Sequence, residues 1–81
     1  MSCFIYILEC NDKSFYTGIT WSLSKRILEH NNGLSLATKG RLPVKLVYWE
    51  KYNNRQLAAK GEKEIKGWIR AKKEKLISSL H

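Results

Sequence analysis

Apolar side chains fill both alternating positions of the stretch CFIYILEC, which runs from residue 3 to residue 10. A strand that is apolar on both faces is typical of the middle of a sheet covered on two sides. Asn11, Asp12 and Lys13 have turn chemistry, and residues 14 to 20 then form a returning strand. The pattern predicts an antiparallel hairpin with a central first strand and a three-residue loop.

The loop length decides which side chains share a face of this hairpin. A three-residue loop puts Tyr6 opposite Gly18 and Leu8 opposite Tyr16, whereas a two-residue loop would put the tyrosines on opposite faces. We therefore expect both tyrosines on one face, as diagonal neighbours roughly 7–8 Å apart at the backbone. Gly18 leaves a gap beside Tyr6, either for another group to approach or for a twist of the strand.

The rest of the chain reads as one more strand and three helices. The stretch VKLVYWEKY, residues 44 to 52, is rich in β-branched and aromatic residues and predicts a third strand. Helices are expected at residues 22–32, 55–66 and 70–80, and residues 33–43 form a polar loop. The order β-β-α-β-α-α predicts an α+β fold, a small three-stranded antiparallel sheet flanked by three helices, in one domain covering residues 1–81.

Helix ends carry recognisable capping residues. Ser22 is a good N-cap for the first helix, and either Asn53 or Asn54 for the second. Gly33 and Gly67 stand where these two helices are expected to end. These signals predict the helix boundaries within a residue or two.

Two polar residues of the first helix lie on its inward-facing side and not on the side expected to face solvent. Arg26 and His30 are four residues apart and fall beside the inward-facing Leu23 and Ile27. Such side chains either reach past the core edge to water or belong to a functional site. We favour the site because the two tyrosines are expected nearby.

The buried side of the second helix is predicted from its apolar and small residues, namely Leu57, Ala58, Gly61, Ile65 and Trp68. Because glycine costs about 1 kcal/mol relative to alanine inside a helix, Gly61 indicates close packing. Glu62 and Glu64 lie on opposite flanks of this ridge. Periodicity leaves open which of them faces a site, and each could instead pair with neighbouring lysines.

Charge and cysteine content narrow the possible partners. The chain carries 15 Lys and Arg against 7 Asp and Glu, a formal charge of +8. This charge could serve only to keep the protein soluble, but together with a suspected site it favours binding to a polyanionic partner. No apolar run approaches the ~20 residues of a membrane span, and no signal-peptide pattern is seen. Cys3 and Cys10 lie roughly 23 Å apart on one strand and cannot bridge each other. We expect a cytoplasmic protein with free thiols and no zinc site.

The order of these motifs resembles that of the GIY-YIG nucleases. Phe4-Ile5-Tyr6 is followed ten residues later by Tyr16-Thr17-Gly18, then by Arg26 and a helical glutamate. The segments YTGIT, RILEHN, PVKLVYWE and GEKEIKGW resemble the small stand-alone, single-domain branch of that superfamily, over nearly the whole chain. Phe4 departs from the first motif glycine, and Thr17 from the middle isoleucine of the second motif.

The resemblance implies a metal-dependent DNA endonuclease that uses Mg²⁺ or Mn²⁺. It places the catalytic positions at Tyr6, Tyr16, Arg26, His30 and Glu62, and it selects Glu62 over Glu64 as the metal-binding carboxylate. Mg²⁺ keeps most of its waters, so one carboxylate is an adequate anchor.

Each of these side chains suits phosphodiester hydrolysis. Arg26 would brace the phosphate with its planar guanidinium, and His30 would relay a proton or bind phosphate. One tyrosine would take the proton of the attacking water, and the sequence leaves open which one. We expect Arg26, a metal and the basic surroundings to lower the tyrosine pKa.

The expected DNA-binding surface consists of Lys39, Arg41 and Lys45, with part of the third-helix lysines Lys72, Lys73 and Lys75. For the lysines of the second and third helices, a plain solvated surface is the equal alternative. Such phosphate contacts are blind to sequence and sensitive to salt. Further expectations are structure-selective cleavage in DNA repair or processing, a targeting protein partner, a monomeric state and the absence of a membrane partner. The sequence leaves open whether the DNA substrate is duplex, branched or single-stranded. The alternatives are a nucleic-acid-binding module with a vestigial site and a protein-interaction adaptor.

Overall fold

A three-stranded antiparallel sheet forms the centre of the molecule, and its strands lie in the order β2-β1-β3. The computed structural model describes residues 2–79. Along the chain the elements are β1 (Cys3–Glu9), β2 (Phe15–Thr20), α1 (Leu23–Asn31), a short 3-10 turn (Lys39–Arg41), β3 (Lys45–Tyr52), α2 (Arg55–Lys66) and α3 (Arg70–Ser78). This confirms the predicted α+β order and the central position of β1. The expected continuation of the third helix to Leu80 lies outside the described residues.

The β1–β2 hairpin has the predicted three-residue loop. Cys10 donates its backbone N–H to the Ser14 carbonyl at 2.8 Å, and Lys13 adopts a left-handed φ of 71°. A turn that ends in a left-handed residue is the usual geometry of such loops. The resulting register places Tyr6 opposite Gly18 and Leu8 opposite Tyr16, so the predicted pairing, with both tyrosines on one face of the hairpin, is confirmed.

The predicted caps hold both of the first two helices. The Ser22 hydroxyl accepts the N–H of Lys25, and Asn54, rather than Asn53, caps α2 by accepting the N–H of Leu57 at 2.9 Å. Gly33, with φ 77°, ends α1 in a Schellman arrangement in which the Leu34 N–H donates to the Glu29 carbonyl at 3.0 Å. Glycine is favoured there because left-handed backbone disfavours a Cβ.

Helices α2 and α3 cover one face of the sheet. Ile5 and Ile7 of β1 pack there against Ala58 and Ile65 of α2. A Cβ on Gly61 would lie 2.7 Å from Ile5 Cδ1, which confirms the predicted close packing. Leu57, however, is 51% exposed. The prediction that it belongs to the buried ridge is wrong, because the helix turns its Ala58 side towards the sheet.

Helix α1 and the following loop cover the other face. Tyr6 and Leu8 of β1 pack there with Leu23, Ile27 and Val44. Asn31, at the end of α1, bonds both backbone groups of Val44: its Oδ1 accepts the N–H at 2.8 Å, and its Nδ2 donates to the carbonyl at 3.1 Å. This clamp fixes the start of β3 against α1. The loop, expected to be irregular, also contains the 3-10 turn and buries Thr38.

The pairing of β1 with β3 shifts between Ile7 and Leu8, so β3 carries a bulge. Tyr48 pairs with Ile7 on the α2 side, whereas Leu46 pairs with Leu8 on the α1 side. One extra residue in β3 thereby supplies apolar side chains to both cores. Cys3 and Cys10 are both free and buried, as the sequence predicted.

Candidate active site

The Tyr6 hydroxyl is the centre of a polar cluster on the α1 face of the sheet. It lies 3.1 Å from His30 Nε2 and accepts a hydrogen bond from Arg26 Nε at 3.3 Å. Tyr6 is 1% exposed, and His30 is fully buried. Arg26 and His30 reach this point because they lie one helical turn apart, on the side of α1 that carries Leu23 and Ile27.

Gly18 makes room for the tyrosine itself. A Cβ at this position would lie 2.5 Å from the Tyr6 hydroxyl oxygen and 2.7 Å from Cζ. The gap expected beside Tyr6 is therefore filled by its own ring, which lies over the backbone of β2. The absence of a side chain at Gly18 thus lets the Tyr6 ring lie close to β2, and this fixes where its hydroxyl group contacts Arg26 and His30 of α1.

Tyr16 joins the cluster from β2. Its ring centroid lies 6.2 Å from that of Tyr6 and 5.2 Å from that of His30. Both tyrosines therefore lie on one face of the sheet and converge on the same imidazole. Tyr16 is half-buried, so its ring lies nearer to solvent than that of Tyr6.

His30 connects the cluster to the loop after α1. Its Nδ1 lies 2.7 Å from the hydroxyl oxygen of Thr38, which is also fully buried. Since Arg26 donates to the Tyr6 oxygen, the acceptor for the Tyr6 hydroxyl proton is His30 Nε2. This network assigns the tautomer with the proton on Nδ1, which donates to Thr38. Burial and the neighbouring Arg26 charge hold the His30 pKa below its ordinary value, so the ring is neutral near pH 7.

Thr38 is a residue of the cluster that sequence reasoning missed. It stands in the polar segment ATKGR, where nothing in the local pattern distinguishes a buried threonine from a solvated one. Its position depends on the 3-10 turn, whose Arg41 N–H donates to the Thr38 carbonyl at 2.9 Å. Only the folded loop brings it to His30.

The Tyr6 pKa runs against the sequence-based expectation. Burial raises it above its ordinary value, and the Tyr16 and Glu62 charges act in the same direction. The hydrogen bond and the positive charge of Arg26 oppose this increase without cancelling it. The expectation of a lowered pKa is therefore wrong for the protein alone, because removal of water from the phenol outweighs one guanidinium. Tyr6 is a neutral hydroxyl near pH 7.

Arg26 has a second side-chain partner besides Tyr6. Its Nη1 donates to Glu29 Oε1 at 3.2 Å, and both side chains are about one-third exposed. The two residues are three apart on α1, a spacing at which helical side chains commonly pair. Glu29 thereby orients the guanidinium so that its Nε points at Tyr6.

Glu62 and Glu64 differ in the tyrosine whose pKa their charge raises. The charge of Glu62 acts on Tyr6, whereas the charge of Glu64 acts on Tyr52 of β3. Their electrostatic surroundings therefore differ, although helical periodicity left the two carboxylates equivalent. Glu62 Oε2 lies 3.4 Å from Lys66 Nζ, and 20% of the Glu62 side chain is exposed.

The donor set suits a hard cation. Within residues 2–79 no group of three or more His, Cys, Asp or Glu side chains is arranged to hold a metal. A transition-metal site of the zinc type needs such a group, whereas Mg²⁺ or Mn²⁺ is commonly held by one or two carboxylates and water. Glu62, whose side chain is partly exposed and whose charge acts on Tyr6, fits the second case.

The expected DNA-binding cations differ in their surroundings. Lys39 is exposed in the 3-10 turn. Arg41 donates from Nη1 to Ser14 Oγ at 2.6 Å and from Nη2 to a loop carbonyl, so it ties the loop to the hairpin. Lys45 Nζ lies 3.4 Å from Glu9 Oε1 but remains largely exposed.

One of the third-helix lysines is also engaged within the protein. Lys72 Nζ lies over the Trp68 ring, 4.3 Å from its centroid, in a cation–π contact. Lys72 is exposed.

None of the helices within residues 2–79 has the length and apolar character needed to cross a bilayer.

Comparison with known proteins gives relatives along almost the whole chain. A UPF0213 protein of Clostridium perfringens is 51% identical over 77 residues, which cover 94% of this chain and 83% of the relative. A UPF0213 protein of Staphylococcus saprophyticus is 50% identical over 76 residues, which cover 93% of this chain and 93% of the relative.

Two solved structures share the fold. The solution NMR structure of a UPF0213 protein from Bacillus halodurans has a TM-score of 0.63 at 40% identity, covering 96% of this chain and 84% of that one. The solution NMR structure of an E. faecalis protein has a TM-score of 0.68 at 35% identity, covering 100% and 88%. The family model for the GIY-YIG catalytic domain matches residues 2–75. The chain therefore belongs to the GIY-YIG family, a nuclease superfamily, as its motifs predicted.

Proposed function

We propose that this protein is a metal-dependent DNA endonuclease, in which Tyr6 activates the water that attacks a phosphodiester. The observation that supports this most directly is the Tyr6 hydroxyl, held between His30 Nε2 at 3.1 Å and Arg26 Nε at 3.3 Å. A buried phenol that touches both a neutral imidazole and a guanidinium is placed to move a proton rather than simply to pack.

The proton route follows from the assigned tautomer. The Tyr6 oxygen takes a proton from the attacking water while its own hydroxyl proton passes to His30 Nε2. Because His30 already carries a proton on Nδ1, it becomes an imidazolium. Tyr6 thus never needs a full phenolate charge, which agrees with its raised pKa. The lowered His30 pKa favours later release of that proton.

The phosphate is bound by the remaining polar side chains. Arg26 offers its guanidinium edge to the phosphoryl oxygens, where negative charge grows in the transition state. The Tyr16 hydroxyl, closer to solvent than that of Tyr6, orients the phosphate or the water. This assigns different roles to the two tyrosines: Tyr6 carries the proton and Tyr16 positions the reactants.

Glu62 is the residue that would hold the divalent ion. When bound, Mg²⁺ or Mn²⁺ supplies charge stabilisation to the phosphate and to the leaving oxygen. The Lys66 ammonium beside Glu62 keeps the carboxylate paired in the protein alone.

The wider surface follows from the formal charge of +8. We infer that Lys39 and Lys45, with the exposed part of α3, contact DNA phosphates without reading sequence. Arg41 remains a predicted DNA contact, although its guanidinium already bonds the hairpin. A cytoplasmic location, a monomeric state and a targeting partner also remain predictions.

The test is nicking of supercoiled plasmid with Mg²⁺ or Mn²⁺. We expect Tyr6→Phe and Glu62→Gln each to lose activity by about a hundredfold or more. Glu64→Gln is the matched control and should retain the activity of the wild type. Cleavage that survives both substitutions would contradict the proposal, and DNA binding without any metal-dependent cleavage would support a vestigial site instead.

A further inference from the structure

Arg26 also lines a groove whose lining includes neither His30 nor Thr38, and the proposed chemistry does not use this groove. It has a volume of about 250 Å³. Its lining residues come from β1, from the junction of β2 and α1, and from the start of α2, namely Cys3, Ile19, Thr20, Trp21, Arg26 and Arg55. Arg26 lines the groove and also bonds Tyr6, so the groove and the candidate active site share this side chain.

The lining combines an exposed aromatic ring with two guanidinium groups. Trp21 is 46% exposed, although its indole is one of the largest apolar side chains in the chain. Arg55 is exposed at the first turn of α2, where the helix dipole also favours an anion. No carboxylate is found among the described residues that line the groove. Its charge therefore suits a phosphate, and its ring suits a flat partner.

We propose that this groove holds one unpaired nucleotide next to the scissile phosphate, with its base stacked on Trp21 and its own phosphate bound by Arg55. Aromatic rings among basic side chains are the usual means of binding single-stranded nucleic acid. The volume of about 250 Å³ lies just below the usual range of ligand pockets, so the groove suits a single nucleotide unit rather than a longer stretch of DNA.

The proposal defines a substrate class. In a duplex both faces of each base are covered by their neighbours, so a tryptophan ring can stack only on a base that is unpaired and turned out. DNA with an unpaired strand at the cleaved bond would fill the groove, and continuous duplex would leave it empty. The inference rests on the proposed function in one respect, namely that the scissile phosphate lies at Arg26.

The experiment measures binding without cleavage, in the presence of EDTA. The full chain is titrated with a short oligothymidylate and with a short duplex, and tryptophan emission is followed. We expect Trp21→Leu to weaken binding of the oligothymidylate about tenfold and to remove most of the emission quenching. Duplex affinity should change less than about twofold. Trp21→Phe should restore most of the affinity, and Arg55→Gln should weaken binding of the oligothymidylate while duplex affinity changes less than about twofold.

Trp49→Leu is the matched control, since Trp49 is 42% exposed and packs against Phe4 outside the groove. It should leave both affinities and the quenching unchanged. Equal loss on both DNAs with Trp21→Leu, or no loss on either, would overturn the proposal. Plasmid nicking separates the two ideas. Stacking on Trp21 without plasmid nicking would support the groove proposal and contradict the nuclease proposal. Plasmid nicking by the wild type, together with normal oligothymidylate binding by Trp21→Leu, would support the nuclease proposal and contradict the groove proposal.

Discussion

His30 Nδ1 lies 2.7 Å from the Thr38 hydroxyl oxygen, and both residues are fully buried. In the tautomer assigned from the Tyr6 contact, Nε2 accepts from the Tyr6 hydroxyl and Nδ1 donates its proton to Thr38. Thr38 is therefore a positioning residue that acts through His30. Replacement by valine keeps its shape and removes the oxygen, so Nδ1 would lose its acceptor and the other tautomer would become populated.

We expect Thr38→Val to reduce plasmid nicking about tenfold, a typical loss for a residue that orients a functional histidine. Thr38→Ser should restore it. Nitrogen NMR shifts of His30 provide a measure independent of activity, and they should show Nδ1 protonated in the wild type and in Thr38→Ser. An unchanged tautomer in Thr38→Val would show that Thr38 only fills space.

Gly18→Ala tests the fit of Tyr6 against β2. Its Cβ would lie 2.5 Å from the Tyr6 oxygen, so the ring must move away from Arg26 or the strands must separate. We expect a loss of about 1–3 kcal/mol in the free energy of unfolding, measured with urea, together with a loss of nicking.

Gly40→Ala is the matched control, because no atom lies within 4 Å of a Cβ at that position. Its free energy of unfolding should change by no more than about 0.5 kcal/mol. If both glycine substitutions had equal effects, the close approach of Tyr6 to Gly18 would not be what restricts this position.

Acidification should destabilise the fold through His30. Its pKa is lower in the folded state than the ordinary value of 6.5, so between these two values the unfolded chain binds the extra proton. The stability is fully present above pH 6.5 and is lost as the pH falls through the folded-state pKa, with a slope of at most about 1.4 kcal/mol per pH unit. Urea unfolding between pH 7.5 and 5.5 measures it.

The His30→Gln variant identifies the source of that slope. It will be less stable than the wild type at every pH, because it loses the ring contacts to Tyr6 and Thr38. Its free energy of unfolding should nevertheless vary less over the same pH range. A slope as steep as that of the wild type would assign the effect to other groups.

Arg26→Lys should be much less active despite keeping the charge. The guanidinium bonds Tyr6 through Nε and Glu29 through Nη1, and a single ammonium cannot reproduce both contacts with the same geometry. We expect nicking to fall about a hundredfold. Arg70→Lys, on α3, should keep nuclease activity within about twofold. Normal nicking by Arg26→Lys would show that charge alone suffices.

The hairpin and the helix ends could be read from the sequence because their rules are local. A three-residue loop fixes which side chains oppose each other, and this placed Tyr6 against Gly18 correctly. Ser22 and Gly33 bond backbone groups only a few residues away, so their roles did not depend on the remainder of the fold.

The same distinction applies to side-chain placement: local rules predicted some positions, whereas tertiary packing decided others. The placement of Arg26 and His30 beside the buried stripe of α1 followed from helical spacing, and the strand parity brought the tyrosines to one face. The burial of Leu57, by contrast, was predicted wrongly, because the rotation of α2 depends on how Ala58 and Gly61 fit the sheet.

Sequence by itself determined the order of the elements, the shared face of the two tyrosines and the helical positions that join them, because these depend on periods of two and 3.6 residues. Only the tertiary structure decided that Thr38 contacts His30, that Leu57 is exposed while Ala58 packs on the sheet, and that burial raises the Tyr6 pKa. Such contacts join residues far apart in the chain, and their distances and exclusion of water exist only once the sheet, the loop and the helices have packed together.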